Sequence, residues 1–354
     1  MGEDDRYIIQ EQETGFRTVQ AARLRPSTDR SFEAFADDVT KTTEEFFSRP
    51  EIPQTTQPLR IPNNTSLPLV LENFARTDVC QLWVDEADKS VVICFNHAKV
   101  GGGDFLQWYT NTCHGTSNSL IPEAGRLQTI LCMIRSTMWY FTGPMAPWRS
   151  GAALRECSLR KDAIKFFYTI KHPVKQDGAS AKMILIHGIL SDIFRGYSTD
   201  VVELSCWIPV AFVKDDSSPY NNIGVIPFVA EREDTARKLQ DKINRNGHCA
   251  VSSNTLLRYW TGKSYSSSSS TLRKKVDVVL TLGNLTAEDP TCLSNGYGGF
   301  LFQETPFAYP VYVFGITING RSQVSYTISD QRLDASKVIN EDVVAVKDPF
   351  FTGL

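Results

Sequence analysis

Val311-Tyr-Val-Phe-Gly-Ile-Thr-Ile318-Asn319-Gly320-Arg321-Ser-Gln-Val-Ser-Tyr-Thr-Ile328 decides the fold class. Two runs rich in β-branched and aromatic residues flank an Asn-Gly pair, and both of those residues tolerate the positive φ that a type I′ turn demands. The stretch predicts an antiparallel hairpin. Just upstream, Val276-Asp-Val-Val-Leu-Thr-Leu282 reads as a buried strand, and helices alternate with strands through most of the chain. A strong antiparallel hairpin within such an alternation points to an α+β protein with mixed sheets, and away from a Rossmann-type parallel sheet.

Phe16 to Leu24 reads as an early strand, followed by an amphipathic helix carrying Phe32, Phe35, Val39, Thr43 and Phe46 at three- and four-residue spacing. Ser31 suits its N-cap, and Arg49-Pro50 stops it. Val79 to Glu86 and Val91 to Phe95 read as paired strands around the polar turn 87–90, and Phe105, Leu106, Trp108 and Tyr109 open a helix after a glycine-ended loop. Gly143 to Gly151 is the expected boundary between an N-terminal half, 1–150, and a C-terminal half, 151–354. Beyond it come a strand over Ile164 to Ile170, a helix striped by Met183, His187, Leu190 and Phe194, and a strand region Val201 to Val213 interrupted by Pro209. A helix over Thr235 to Asn246 is closed by Gly247, and Ser264 to Ser270 is a surface loop.

The chain has 354 residues, 42% hydrophobic and 22% charged, the balance of a folded globular protein with a sizeable core. With 37 basic and 40 acidic residues the net charge is −3, so no strong field recruits nucleic acid. The eight cysteines form no C-x-x-C pair and read as free thiols in a reducing compartment. Met1-Gly-Glu-Asp-Asp-Arg6 lacks a signal peptide's apolar core, and no run of about 18 apolar residues suggests a spanning helix. The expected compartment is the cytoplasm. Leu127 to Tyr140, broken by Arg135, reads as a helix against the core, with peripheral membrane contact the less favoured alternative.

One loop has a chemical look: Cys94-Phe-Asn-His97-Ala-Lys-Val-Gly101-Gly102-Gly103-Asp104-Phe. A strand delivers a histidine to its end, and three glycines permit close approach of backbone or substrate. The loop resembles the H-H-x-x-x-D-G motif of the chloramphenicol acetyltransferase-like superfamily, which includes wax-ester/diacylglycerol acyltransferases and peptide-synthetase condensation domains. His97 matches the second histidine and Gly102 the final glycine. Asn96 replaces the first histidine and Gly101 the aspartate, whose family role is chiefly to hold the loop; Asp104 lies close enough to substitute. Ser205 to Val210 with Asn221-Asn-Ile-Gly224, Val276 to Asn284, and Ser329-Asp330 with Asp334 after the hairpin match later family pieces in order. The D-F-G-W-G motif of the plant enzymes is absent.

The resemblance implies two α/β sandwich halves with mixed sheets forming a pseudo-dimer. It implies transfer of an acyl group from a coenzyme A thioester to a small hydroxyl or amine acceptor, with His97 as general base. Thr281 or Asn284 would stabilise the oxyanion, Gly101, Gly102, Gly103 and Asp104 would line the substrate loop, and Arg273, Lys274 and Lys275 would meet the CoA phosphates. Each residue also has a plainer reading. A strand-end histidine is usually a hydrogen-bonded core or rim residue, three glycines can be a tight turn, and 273–275 can be a solvated charge cluster. His187 reads as a packed core histidine. His114, His172 and His248 lack partners at metal-like spacing, so no metal is expected. No P-loop, dinucleotide fingerprint or G-x-S-x-G elbow is present. Two further readings share the fold: an inactive scaffold with protein partners, which the loss at Gly101 favours, and a lipid- or peptide-binding protein that keeps a pocket without needing the histidine.

Overall fold

The computed structural model describes residues 16–26, 30–47, 59–60, 80–87, 89–96, 108, 112, 115–117, 121–122, 134, 159–171, 178–213, 223–247, 276–287, 297–303, 309–318 and 321–338. The architecture is α+β with two mixed sheets. The first sheet contains β1 (Phe16–Leu24), β2 (Leu59–Arg60), β3 (Cys80–Asp85), β4 (Ser90–Asn96) and β11 (Tyr297–Gln303), in the order β11-β1-β4-β3-β2. The second runs β6 (Ile121–Pro122), β8 (Glu203–Val213), β10 (Val278–Ala287), β12 (Val311–Ile318), β13 (Arg321–Asp330) and β7 (Leu159–Lys171), with β5 (Gly115–Ser117) beside β10 and β9 (Ile223–Glu231) beside β8. Among the described residues, apart from isolated helical positions at Trp108, Thr112 and Ile134, the helices are α1 (Phe32–Phe47), α2 (Ala181–Gly196), α3 (Ala236–Gly247) and the short α4 (Ala335–Val338).

The hairpin forms as its sequence dictates. Ile318 pairs with Arg321, the register a two-residue loop requires, and the antiparallel ladder continues to Val311 opposite Ile328. β12 then lies parallel to β10, which makes the sheet mixed. β10 and β12 are covered on both faces, the usual reason for a near-continuous apolar run. Val278, Leu280, Val311 and Val313 join the core under α2 and α3. Val279, Tyr312, Phe314 and Ile316 join a second core, which holds the apolar face of α1 and Ile93, Phe95 and Trp108 from the first half of the chain.

α1 starts where expected. Ser31 Oγ accepts from the Ala34 amide at 3.2 Å, and Phe32, Phe35, Val39, Thr43 and Phe46 are buried. β3 and β4 form the expected hairpin, with Lys89 in the left-handed region at φ 49° and its ammonium 5.2 Å from the Phe32 ring centroid. Ser180 caps α2, its side chain accepting from Met183 N at 3.4 Å. Thr235 stands just before α3 and caps it instead of belonging to it, and Gly247 is the helix's last residue.

Pro209 does not interrupt β8. It pairs with Val225 of β9, while the strand's opposite edge meets β10 at Cys206–Trp207 and β6 at Phe212–Val213, so the proline's missing donor falls between those contacts. β7 begins at Leu159 and β10 extends to Ala287, both longer than their apolar runs suggest. β2 and β9 were not expected, and neither were β5, β6 and β11. The last three exchange the two sheets: β5 and β6, from before residue 150, pair with β10 and β8, whereas β11, from beyond it, covers the free edge of β1. Gly143 to Gly151 and Ser264 to Ser270 lie outside the described residues. Within 127–140 only Ile134 is described; it is helical and exposed. Among the described residues no helix is long and apolar enough to cross a membrane.

Candidate functional site

The strand that leads to His97 is held firmly. β4 pairs with β1 as far as Asn96 opposite Val19, and Val91 to Phe95 are buried. His97, Gly101, Gly102, Gly103 and Asp104 lie outside the described residues, so the structure shows how their segment is anchored at its two flanks. Phe95 before it and Trp108 after it meet edge to face, with ring centroids 5.3 Å apart and planes at 66°. Trp108 Nε1 donates to Thr43 Oγ1 at 3.1 Å, and that hydroxyl in turn donates to the Val39 carbonyl at 2.6 Å. The wholly buried indole N–H thus finds a partner in the middle of α1, which returns the chain to the same core.

Facing the same core, the second sheet presents a polar pair. Thr281 lies on β10 beside Val279, and its Oγ1 donates to Tyr312 Oη on β12 at 3.4 Å. Burial pushes the Tyr312 phenol up to about 12, with the bond from Thr281 pulling the other way. The sequence reading did not single out Tyr312. A tyrosine within an apolar run buried on both sides needs a partner for its hydroxyl, and that was the available signal. Asn284 stands further along β10, in register with Thr317 of β12. Arg273, Lys274 and Lys275 lie outside the described residues. The strand they precede is pinned at its start, where Ser205 N donates to Asp277 Oδ2 at 2.8 Å and Asp277 N donates to the Ser205 carbonyl at 2.9 Å.

Other chemistry-bearing residues are tied into structure. His187 is only half buried, and its Nε2 donates to the Asp234 carbonyl at 3.0 Å. Asp234 Oδ2 accepts from Glu231 N at 2.8 Å and from Lys242 Nζ at 2.6 Å, which fixes the turn between β9 and α3. The Cys94 and Cys206 thiols are wholly buried, and desolvation pushes both well above the ordinary thiol value, so neither offers a thiolate. Among the described residues no group of three or more His, Cys, Asp or Glu is placed to hold a metal ion.

No family model matches the chain, and no curated protein matches it. Several solved structures do. A double mutant of the starter condensation domain of rhizomide synthetase RzmA, in complex with C8-CoA, is similar at 10% identity and a TM-score of 0.50, covering 92% of this chain and 87% of that one. The unmutated domain gives 8% identity and a TM-score of 0.44, covering 94% and 90%. A structure described as CT gives 10% and 0.42, covering 95% and 87%. The fold likeness rests on the first of these, and it extends over nearly the whole chain.

Proposed function

We propose that the chain is an acyltransferase that moves an acyl group from a coenzyme A thioester to a small hydroxyl or amine acceptor, with His97 as general base. The observation that carries this reading is the anchoring of the His97 segment. Phe95 and Trp108, on its two sides, share one core with the face of β10 and β12 that bears Thr281 and Tyr312. A histidine at the end of β4 thereby starts from a rigid strand, and hydroxyl groups stand on the opposing sheet of the same core. The condensation-domain fold and the degenerate motif support the same assignment, and the C8-CoA held by that neighbour supports coenzyme A as the donor's carrier.

In the reaction the acceptor's oxygen or nitrogen attacks the thioester carbonyl while His97 takes its proton. The carbonyl π electrons move onto oxygen, where a donor from β10, Thr281 or Asn284, stabilises them. Collapse of this intermediate expels the CoA thiolate, which the imidazolium protonates. A neutral imidazole with a pKa near 6.5 suits both proton transfers. Gly101, Gly102, Gly103 and Asp104 line the acyl-acceptor loop, and Arg273, Lys274 and Lys275 meet the CoA phosphates. The two halves, 1–150 and 151–354, form a pseudo-dimer around the site in the cytoplasm. Gly101, where the motif has its structural aspartate, favours the rival reading of an inactive scaffold.

Calorimetric titration of a CoA thioester into wild type and His97→Ala separates the two. Saturable binding to both, with thioester turnover by wild type only, is the expected result. Absence of binding to either protein would overturn the acyltransferase and leave the scaffold.

A further inference from the structure

Thr281 and Tyr312 bring two hydroxyl hydrogens to one mutual bond. Thr281 Oγ1 spends its hydrogen on Tyr312 Oη, and neither side chain has another hydrogen-bond partner among the described residues. The phenolic hydrogen is therefore left over, on a residue only 5% exposed, in a core whose other members near it are Val279, Phe314 and Ile316. A buried donor without an acceptor is costly, and such a donor is kept where an acceptor arrives from outside.

We infer that Tyr312 is a catalytic residue, donating its phenolic hydrogen to the carbonyl oxygen of the bound acyl group, and that Thr281 is the positioning residue that aims it. This rests on the acyl-transfer reading and changes one part of it: the oxyanion donor comes from β12 and not directly from β10. No proton need be transferred. As the acceptor attacks, the carbonyl π electrons move to oxygen and the O–H···O bond strengthens; when the thiolate leaves, the double bond re-forms and the bond relaxes. The elevated phenol pKa, about 12, keeps the hydrogen in place throughout the working pH range. The accepted bond from Thr281 polarises the O–H and makes it a better donor than an isolated phenol.

The test uses the full chain and two acyl-CoA analogues that cannot react: a ketone, in which CH₂ replaces the thioester sulfur, and an alkyl thioether, which lacks the carbonyl. Wild type is expected to bind the ketone about tenfold more tightly than the thioether, the effect of one hydrogen bond. Tyr312→Phe should abolish that preference while binding the thioether as wild type does. On the thioester, Tyr312→Phe should lower kcat on the order of 10²-fold, the usual loss of an oxyanion donor. Thr281→Val should reduce both effects partially, and His97→Ala should abolish turnover yet keep the ketone preference. A wild-type protein that binds both analogues equally, or a Tyr312→Phe variant that keeps the preference, overturns the inference and leaves acyl transfer standing. Failure of wild type to bind either analogue overturns the acyl-transfer reading itself.

Discussion

Tyr197 and Tyr312 are equally buried, each 5% exposed, on opposite sides of the second sheet, and they are satisfied in opposite ways. On the helix side, Tyr197 Oη donates to Asp330 Oδ2 at 2.8 Å. Arg332 closes the network with Nε 3.0 Å from Oδ1 and Nη2 2.6 Å from Oδ2. Its guanidinium also lies 5.9 Å from the Tyr197 ring centroid. Burial and then the neighbouring carboxylate push the Tyr197 phenol far above its ordinary range. Burial alone would raise the Asp330 carboxyl, but the hydrogen bonds from Arg332 and Tyr197 outweigh it and hold that carboxyl below its ordinary value. On the other side, Tyr312 has a neutral hydroxyl neighbour and a hydrogen to spare. Equal burial thus conceals a difference: a closed charged network locks packing, whereas an open neutral pair holds a donor ready.

The strongest way to break the comparison is to remove the charge. Asp330→Ala should cost about 3 kcal/mol in urea unfolding, the lower end for a broken buried pair because the Arg332 side chain is 37% exposed and regains water. The same carboxylate sets an acid limb. Its folded pKa lies below the unfolded value of about 3.9. The stability it contributes is therefore full above that value and is lost as pH falls through the folded pKa. Asp330→Asn should flatten that limb; an unchanged acid profile would show that Asp330 contributes little to it.

Swapping the tyrosines sharpens the contrast. Tyr197→Phe should cost about 2 kcal/mol, as expected for a hydrogen bond to a charged group, and Tyr312→Phe less than about 1 kcal/mol. A larger loss at Tyr312 than at Tyr197 would reverse the assignment of structural and chemical roles. An effect between those of the two tyrosines is expected beside Tyr197. A Cβ on Gly196 would stand 2.9 Å from Val338 Cγ2 and 3.0 Å from the Asp334 carbonyl, which itself accepts no shift cheaply because it belongs to the backbone leading into α4. Gly196→Ala should cost about 1.5 kcal/mol by overpacking, read as a lowered melting temperature. An unaltered melt would mean that α4 is free to move away.

Much of the local structure was legible. The Ser31 cap, the α1 and α2 stripes and the Asn-Gly hairpin all rest on patterns within a few residues, where period and turn chemistry speak directly. β11 was not legible because Tyr297-Gly-Gly-Phe-Leu-Phe-Gln303 carries two adjacent glycines, which locally favour a loop; pairing with β1, Gly298 opposite Ala21 and Gly299 opposite Gln20, overrides that preference. β13 misleads in another manner. Its alternation of Gln323, Ser325, Thr327 and Ser329 with Val324, Tyr326 and Ile328 is the pattern of a strand with one wet face, yet every one of these residues is buried. Of the candidate site, the resemblance pointed to His97 and to Thr281, whereas the signal for Tyr312, a tyrosine within an apolar run, did not say which partner its hydroxyl would meet.

By itself the sequence determined the helices, most of the strands and the mixed character of the second sheet, since these follow from periodicity, caps and a turn that only certain residues permit. The tertiary structure alone decided that β5, β6 and β11 exchange between the sheets, and that one buried tyrosine meets a carboxylate while the other meets a hydroxyl. The physical reason is distance along the chain. Tyr197 and Asp330 are 133 residues apart and Thr281 and Tyr312 are 31, and no local pattern reports which polar groups long-range packing will bring within hydrogen-bond reach.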